Sequence, residues 1–108
     1  MSSRRVERVA RQILQAVSSL VETELADPRI GLVTFTGATI SPDLRQARIY
    51  YSALGDEEAK RSAADGLTHA SGYLRREVGR RLGLRFSPTL HFEPDRSLER
   101  ADRGVVAA

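Results

Sequence analysis

The sequence predicts an α+β fold in which helices pack on one face of a three-stranded sheet. Three observations lead to this prediction: an N-terminal stretch with apolar residues at helical spacing, two strand-like runs joined by a turn sequence, and a second helical stretch followed by a short apolar strand. The predicted order of elements is αββααβ. With 108 residues, the chain is long enough for one hydrophobic core, so we expect a single domain.

The first predicted element is a long amphipathic helix. Apolar residues recur every three or four positions from Val6 to Leu25, and Ser3 is the predicted N-cap. Three arginines fall on the outer face of this helix: Arg4, Arg8 and Arg11. The ring of Pro28 disfavours helical geometry at Asp27, so the helix is expected to end there.

Two strands follow as a predicted β-hairpin. Residues 32–40 and 46–54 are rich in β-branched and aromatic side chains, and the Ser-Pro-Asp-Leu sequence at 41–44 is typical of a turn. In the second strand, alternation directs Ala47, Ile49, Tyr51 and Ala53 toward the helices and Arg48, Tyr50 and Ser52 outward. Of the two adjacent tyrosines, only Tyr50 is then placed to stack on a base.

The second half of the chain is predicted to be helical until Gly83. Asp56 is placed to cap a helix whose first turn contains Glu57 and Glu58, and this position favours capping over a metal cluster for the three acids. The small residues Ala70, Ser71 and Gly72 interrupt the pattern and predict a break between two helices. A third strand is predicted at Thr89 to Glu93.

The last predicted helix and the residues after it are rich in arginine. Five arginines lie on or beside it: Arg75, Arg76, Arg80, Arg81 and Arg85. A guanidinium group donates two parallel hydrogen bonds to a phosphate, and Gly79 leaves space among these arginines for a phosphate backbone. The alternative is a solvated charged face in which Arg80 and Arg81 complement the helix dipole. Arg29, after the first helix, is a further candidate RNA contact.

The net charge of +3 is unevenly distributed. Residues 1–11 contain four arginines and one glutamate, residues 69–85 contain five arginines and one glutamate, and the rest of the chain is therefore acidic. Two basic zones on an acidic body indicate a directional surface for a polyanion.

Several classes of function are disfavoured by composition. The absence of cysteine excludes disulfides and cysteine-containing zinc sites. His69 and His91 have no partner at ligand spacing, and Ser71 beside His69 has no nucleophile-elbow motif, so we expect no metal, no cofactor and no enzymatic activity. Without a long apolar run or a signal-peptide core, we expect a cytoplasmic protein.

The predicted order, with a break between the last two helices, resembles the type II KH domain, in which the sheet is mixed. Segments in family-like order resemble the bacterial ribosome-binding factor A family: Asp27-Pro28-Arg29, the residues from Ile40 to Ala47, the residues from Ala70 to Arg75, Leu82-Gly83-Leu84-Arg85 with Pro88, Leu90 and Phe92, and the residues from Asp95 to Glu99. The resemblance covers nearly the whole chain.

This resemblance implies a non-enzymatic assembly factor that binds the free 30S small ribosomal subunit and its 16S rRNA. It also implies a role in late subunit maturation, in processing of the 16S rRNA 5′ end and in growth in the cold. Residues 1–95 would form the KH-like ribosome-binding domain, followed by a charged, flexible tail at 96–108. The protein would be a monomer with no membrane partner and no small-molecule substrate.

In this family, the KH Gly-x-x-Gly loop that clamps single-stranded RNA is replaced by Ala-x-Gly, and Ala70-Ser71-Gly72 matches the replacement. We therefore expect an interhelical kink instead of a nucleotide clamp, with Gly72 required for a positive φ or a close helix contact. The predicted rRNA-binding residues are the five arginines of 75–85 together with Arg4, Arg8 and Arg11. The alternative is a KH-like protein-interaction module without direct rRNA contact.

Overall fold

A computed structural model describes residues 3–97 of the chain. The elements in order are α1 (Ser3–Thr23), a 3₁₀ helix (Pro28–Ile30), β1 (Val33–Ile40), β2 (Gln46–Ala53), α2 (Glu57–Leu82) and β3 (Thr89–Pro94). The predicted two-layer α+β arrangement is confirmed, with both helices packed on one three-stranded mixed sheet. Most of the predicted tail, from residue 98 onward, lies outside the described residues.

The sheet has β2 as its central strand. β2 pairs antiparallel with β1 and parallel with β3. A β-bulge shifts the register of β1 between Phe35 and Gly37. Because β2 and β3 are parallel, both begin at the same end of the sheet, where Gln46 pairs with Thr89. α2 also ends there, since only the loop 83–88 separates it from β3.

The main hydrophobic core lies between the helices and the sheet. Its buried residues are Val9, Ala10, Ile13, Ala16, Val17 and Leu20 from α1, Ala70, Leu74 and Val78 from α2, and Ile40, Ala47, Ile49 and Leu90 from the strands. A second cluster joins Ile30, Tyr51 and Leu67, and burial there raises the pKa of the Tyr51 hydroxyl. Among residues 3–97, no helix is long and apolar enough to cross a membrane.

The alternation predicted for β2 agrees with the burial of its side chains. Ala47, Ile49 and Tyr51 are buried, Ala53 is half-buried, and Arg48 is exposed. Tyr50 is half-buried on the outer face of the sheet, opposite Gly37 of β1. The outward position predicted for Tyr50 therefore holds.

The predicted αββααβ order is corrected, because α2 is one continuous hydrogen-bonded helix of 26 residues. Ser71 is accommodated within it, since its Oγ donates to the Thr68 carbonyl at 2.8 Å. Small residues and one glycine do not interrupt the main-chain hydrogen bonds of a helix whose buried face includes Leu67 and Leu74. A bend of the helix axis at residues 70–72 remains a prediction.

The reason given for Gly72 was wrong. Gly72 is exposed, and it is not one of the described glycines with a positive φ, which are Gly55 and Gly83. A Cβ added to Gly72 would meet only Nη1 of Arg76, at an ordinary contact distance of 3.7 Å. This position therefore accepts a side chain.

Candidate nucleic-acid interface

The C-terminal half of α2 and the loop 83–88 hold the five arginines predicted from the sequence, and all five are exposed. The structure divides them into two groups. Arg76, Arg80 and Arg81 surround Glu77, whereas Arg75 and Arg85 lie toward the loop that leads into β3. The two groups differ in what their guanidinium groups contact.

The first group contains an acid that partly neutralises it. Nη2 of Arg80 lies 2.5 Å from Oε1 of Glu77, which is one helical turn earlier. This hydrogen bond holds the pKa of Glu77 below its usual range, with smaller contributions from the charges of Arg81 and Arg76. Arg81 reaches α1, since its Nη1 lies 3.4 Å from Oγ of Ser19. Arg76 forms no ion pair with a described carboxylate.

The second group contacts the loop after α2. Nε of Arg75 donates to the carbonyl oxygen of Ser87 at 3.1 Å. Cζ of Arg85 lies 5.5 Å from the centroid of the Phe86 ring. Arg75 therefore stabilises the loop, in addition to any role in binding.

Two residues of this end of the molecule were missed by the sequence analysis. Cζ of Arg45 lies 4.6 Å from the centroid of the Phe86 ring, and the carbonyl oxygen of Arg45 accepts a hydrogen bond of 2.8 Å from Thr89. Arg45 precedes β2 and Phe86 precedes β3. The parallel pairing of these strands brings the two residues together, and this pairing is the signal that could have identified them.

The arginines of the N-terminal zone lie where the sequence predicts. Arg4, Arg8 and Arg11 are exposed, opposite the buried face formed by residues such as Val9 and Ile13. α1 begins at Ser3, so this residue lies in the helix instead of preceding it. The contact between Arg81 and Ser19 connects α1 with the basic end of α2.

The interpretation of Gly79 is corrected. Gly79 is buried, and an added Cβ would lie 3.0 Å from Cβ and 3.1 Å from Cα of Ser87. The missing side chain therefore allows the loop 83–88 to approach α2 closely. It does not open a path for a phosphate backbone.

The remaining candidates have simpler roles. Oδ1 of Asp56 caps α2 by accepting from the Ala59 amide at 2.8 Å. Arg29 is paired with Asp27 at 2.7 Å, and this pair stabilises the turn after α1. The RNA contact of Arg29 stays a prediction.

Two of the groups weighed for catalysis or metal binding have local hydrogen-bond partners. The Ser71 hydroxyl donates to a main-chain carbonyl, and Nε2 of His91 lies 2.8 Å from Oε1 of Gln46. Within residues 3–97, there is no group of three His, Asp or Glu residues that could hold a metal ion.

The fold and this basic end define a class: a small two-layer α+β protein with an arginine-rich surface suited to a polyanion. A family model described as ribosome-binding factor A matches residues 5–104. The chain belongs to the ribosome-binding factor A family.

Relatives in this family are similar over about nine tenths of this chain and about four fifths of their own length. Ribosome-binding factor A of Geobacter sulfurreducens is 50% identical over 99 residues, which cover 92% of this chain and 84% of the relative. The protein of the same name from Acetivibrio thermocellus is 43% identical over 97 residues, covering 89% and 79% respectively.

Solved structures of family members have the same fold. The crystal structure of ribosome-binding factor A from Thermus thermophilus has a TM-score of 0.75 and 28% identity, covering 85% of this chain and 98% of that one. A homology model of the Thermus thermophilus factor, fitted into a cryo-EM map of a 30S–RbfA complex, has a TM-score of 0.69 and 28% identity. It covers 84% of this chain and 96% of that one.

Proposed function

We propose that this protein is a cytoplasmic assembly factor that binds the free 30S subunit through 16S rRNA. The observation that carries the proposal is the excess of arginine at the C-terminal end of α2, in a chain of the ribosome-binding factor A family. The fit of a Thermus thermophilus homologue into a 30S–RbfA map supports the same partner for this chain. The binding unit in this proposal is a monomer in which residues 1–95 form the ribosome-binding domain and 96–108 a charged tail.

The electrostatic part of binding is assigned to the basic end of α2. Arg76, Arg80 and Arg81 supply phosphate contacts, and Arg75 and Arg85 act from the side of the loop 83–88. The N-terminal arginines Arg4, Arg8 and Arg11 extend this surface along α1. Ala70, Ser71 and Gly72 do not clamp a nucleotide, because they lie inside a continuous helix and form no loop.

The proposed mechanism is non-enzymatic. A protein without a catalytic site changes an RNA only by shifting its population toward the conformer that it binds better. Binding of this kind promotes late 30S maturation and processing of the 16S rRNA 5′ end by stabilising a subunit conformation in which these steps proceed. The need is greatest in the cold, where misfolded RNA helices rearrange slowly.

Co-sedimentation with purified free 30S subunits and with whole ribosomes tests the proposal. We expect binding to free 30S subunits that weakens steeply as salt increases, because phosphate contacts release counterions. In a deletion strain grown in the cold, free subunits with unprocessed 16S 5′ ends should accumulate. Absence of subunit binding, or normal subunits and mature rRNA ends in that strain, would overturn the proposal.

The second candidate function is a KH-like protein-interaction module. It is favoured by two large apolar side chains at the other end of the sheet, Leu32 and Leu54, which are 65% and 67% exposed. Neighbouring exposed apolar residues are typical of protein interfaces. Purified 16S rRNA separates the two candidates, since only the assembly factor binds this RNA without a protein partner.

A further inference from the structure

Phe86 is a large apolar side chain that the fold leaves outside the core. It is 52% exposed, although the loop around it is well anchored. Pro88 is fully buried, and the Ser87 carbonyl accepts a hydrogen bond from Arg75 at 3.1 Å. The Leu84 amide donates to the Gly79 carbonyl at 3.0 Å. An exposed aromatic ring on an anchored loop suits a binding role, because little conformational entropy is lost when a ligand docks.

Two guanidinium groups lie over this ring in cation–π contact. Cζ of Arg45 and Cζ of Arg85 lie 4.6 Å and 5.5 Å from its centroid. We refer to Arg45, Arg85 and Phe86 as the Phe86 cluster. Neither arginine forms an ion pair with a carboxylate in residues 3–97. The nearest acid along the chain is Asp43, whose Oδ1 accepts hydrogen bonds from the Ser41 hydroxyl and the Arg45 amide.

The chemistry of the cluster matches that of a nucleotide. Aromatic rings and guanidinium planes both stack on unpaired bases, and the guanidinium charge attracts the adjoining phosphate. A protein partner would instead favour apolar neighbours, as at Leu32 and Leu54, which are joined by a main-chain hydrogen bond of 3.4 Å. Phe86 has cations as its neighbours, so RNA is the better match.

We propose that the Phe86 cluster binds one unpaired nucleotide of the RNA partner. The base stacks on the surface formed by the ring and the Arg45 guanidinium, and Arg85 holds the phosphate. This inference rests on the proposed function and adds to it a contact that discriminates unpaired from paired RNA. Its position at the common start of β2 and β3 separates it from the Ala70-Ser71-Gly72 segment, which lies inside α2.

Tryptophan fluorescence provides a direct test, because the chain contains no tryptophan. In the full chain, Phe86→Trp introduces one reporter at the cluster, and Leu54→Trp introduces a matched reporter at the other exposed apolar site. Each variant is titrated with purified 16S rRNA. We expect stacking to quench Phe86→Trp strongly and to leave Leu54→Trp nearly unchanged.

Affinity and its salt dependence test the role of the ring. Phe86→Ala removes the ring on which the base stacks. Its affinity for 16S rRNA should therefore be roughly 5- to 150-fold lower than that of the unaltered chain. The slope of log affinity against log salt should not change, because a neutral ring is lost. Arg85→Gln should instead flatten this slope by roughly 0.7 to 0.9, the value for one phosphate contact.

Phe86→Leu distinguishes stacking from apolar packing. It should bind as weakly as Phe86→Ala if a base stacks, whereas full binding by Phe86→Leu would assign the site to apolar contact and overturn the inference.

Equal binding by Phe86→Ala and the unaltered chain, with Phe86→Trp unquenched, would overturn the inference and leave the proposed function intact. If the unaltered chain fails to bind 16S rRNA, both proposals fall. If Phe86→Ala does not fold, the Leu and Trp variants decide the result.

Discussion

The two halves of α2 carry opposite charge although they belong to one continuous helix. Residues 56–65 contain four acidic residues and two basic ones, whereas residues 75–85 contain five arginines and one glutamate. The acidic half leads away from the end of β2 and the basic half leads into β3. The molecule therefore has an acidic and a basic end, and the helix connects them.

Helix physics explains only part of this difference. The helix dipole favours Glu57 and Glu58 in the first turn and Arg80 and Arg81 in the last turn. It does not account for Arg76, which lies before the last turn and forms no ion pair with a carboxylate of the described residues. Nor does it account for Arg45, which is in a different loop. The helix dipole therefore does not explain every charge at this end, and we assign Arg76 to binding together with Arg80 and Arg81.

The largest expected effect comes from reversing charge at the basic end. In Arg76→Glu/Arg80→Glu, affinity for the 30S subunit should fall by at least about tenfold, and the salt slope should flatten by roughly 0.7 to 0.9 per lost phosphate contact. Salt-dependent co-sedimentation measures both quantities.

The matched control places the same charge change in the other half of the helix. Lys60→Glu/Arg61→Glu should bind nearly as the unaltered chain does, because charges farther apart than the Debye length of about 8 Å are largely screened at physiological salt. Equal losses in the two double variants would mean that net charge, and not the position of the arginines, determines binding.

The next effect concerns the glycines of α2 and is read out as stability. We expect Gly79→Ala to lower the free energy of unfolding by about 1–2 kcal/mol, because the Cβ would press against Ser87. Gly72→Ala should raise it by about 0.5–1 kcal/mol, since this site is exposed and open. Urea denaturation measures both values. Destabilisation by Gly72→Ala would restore the original prediction that this position needs glycine.

A smaller effect is expected from Glu77. In Glu77→Gln, Arg80 loses the carboxylate that partly neutralises it and attracts a phosphate more strongly, so rRNA affinity should increase and its salt dependence should steepen. Glu57→Gln is the control, because Glu57 also pairs with a basic residue three positions later, Lys60 at 3.8 Å. Titrations with 16S rRNA compare the two variants, and an equal response in both would contradict a specific role for Glu77.

The smallest expected effect is on stability in acid. Three carboxyl groups have a pKa below the usual range because each accepts a side-chain hydrogen bond. Arg29 donates to Asp27, Ser41 donates to Asp43, and Arg80 donates to Glu77. A carboxyl whose pKa is lower in the folded than in the unfolded protein stabilises the fold at pH values above its unfolded-state pKa of about 4. This stabilisation is lost as the pH falls through its folded-state pKa. Urea midpoints should therefore decrease below about pH 4. Asp27→Asn should reduce that decrease, and an unchanged pH profile would argue against the Asp27–Arg29 pair.

Much of the fold follows from local patterns. The spacing of apolar residues indicated α1, and a turn sequence between two strand-like runs indicated the hairpin. Alternation along β2 indicated that Ala47, Ile49 and Tyr51 face inward. The break at residues 70–72 was not confirmed, because small residues weaken the helical pattern without removing main-chain hydrogen bonds. Local pattern does not report the packing of Leu67 and Leu74, which supports the helix across that segment.

Apart from the continuity of α2 across residues 70–72, the sequence by itself determined which segments are helices and strands and where basic residues concentrate, because both depend on residues close together in the chain. Only the tertiary structure decided what those residues contact. Parallel pairing of β2 and β3 places Arg45 beside Phe86, and the loop after α2 places Ser87 against Gly79. Such contacts depend on how strands pair and how closely layers pack. Residues that are distant in sequence meet only once the core has set that geometry.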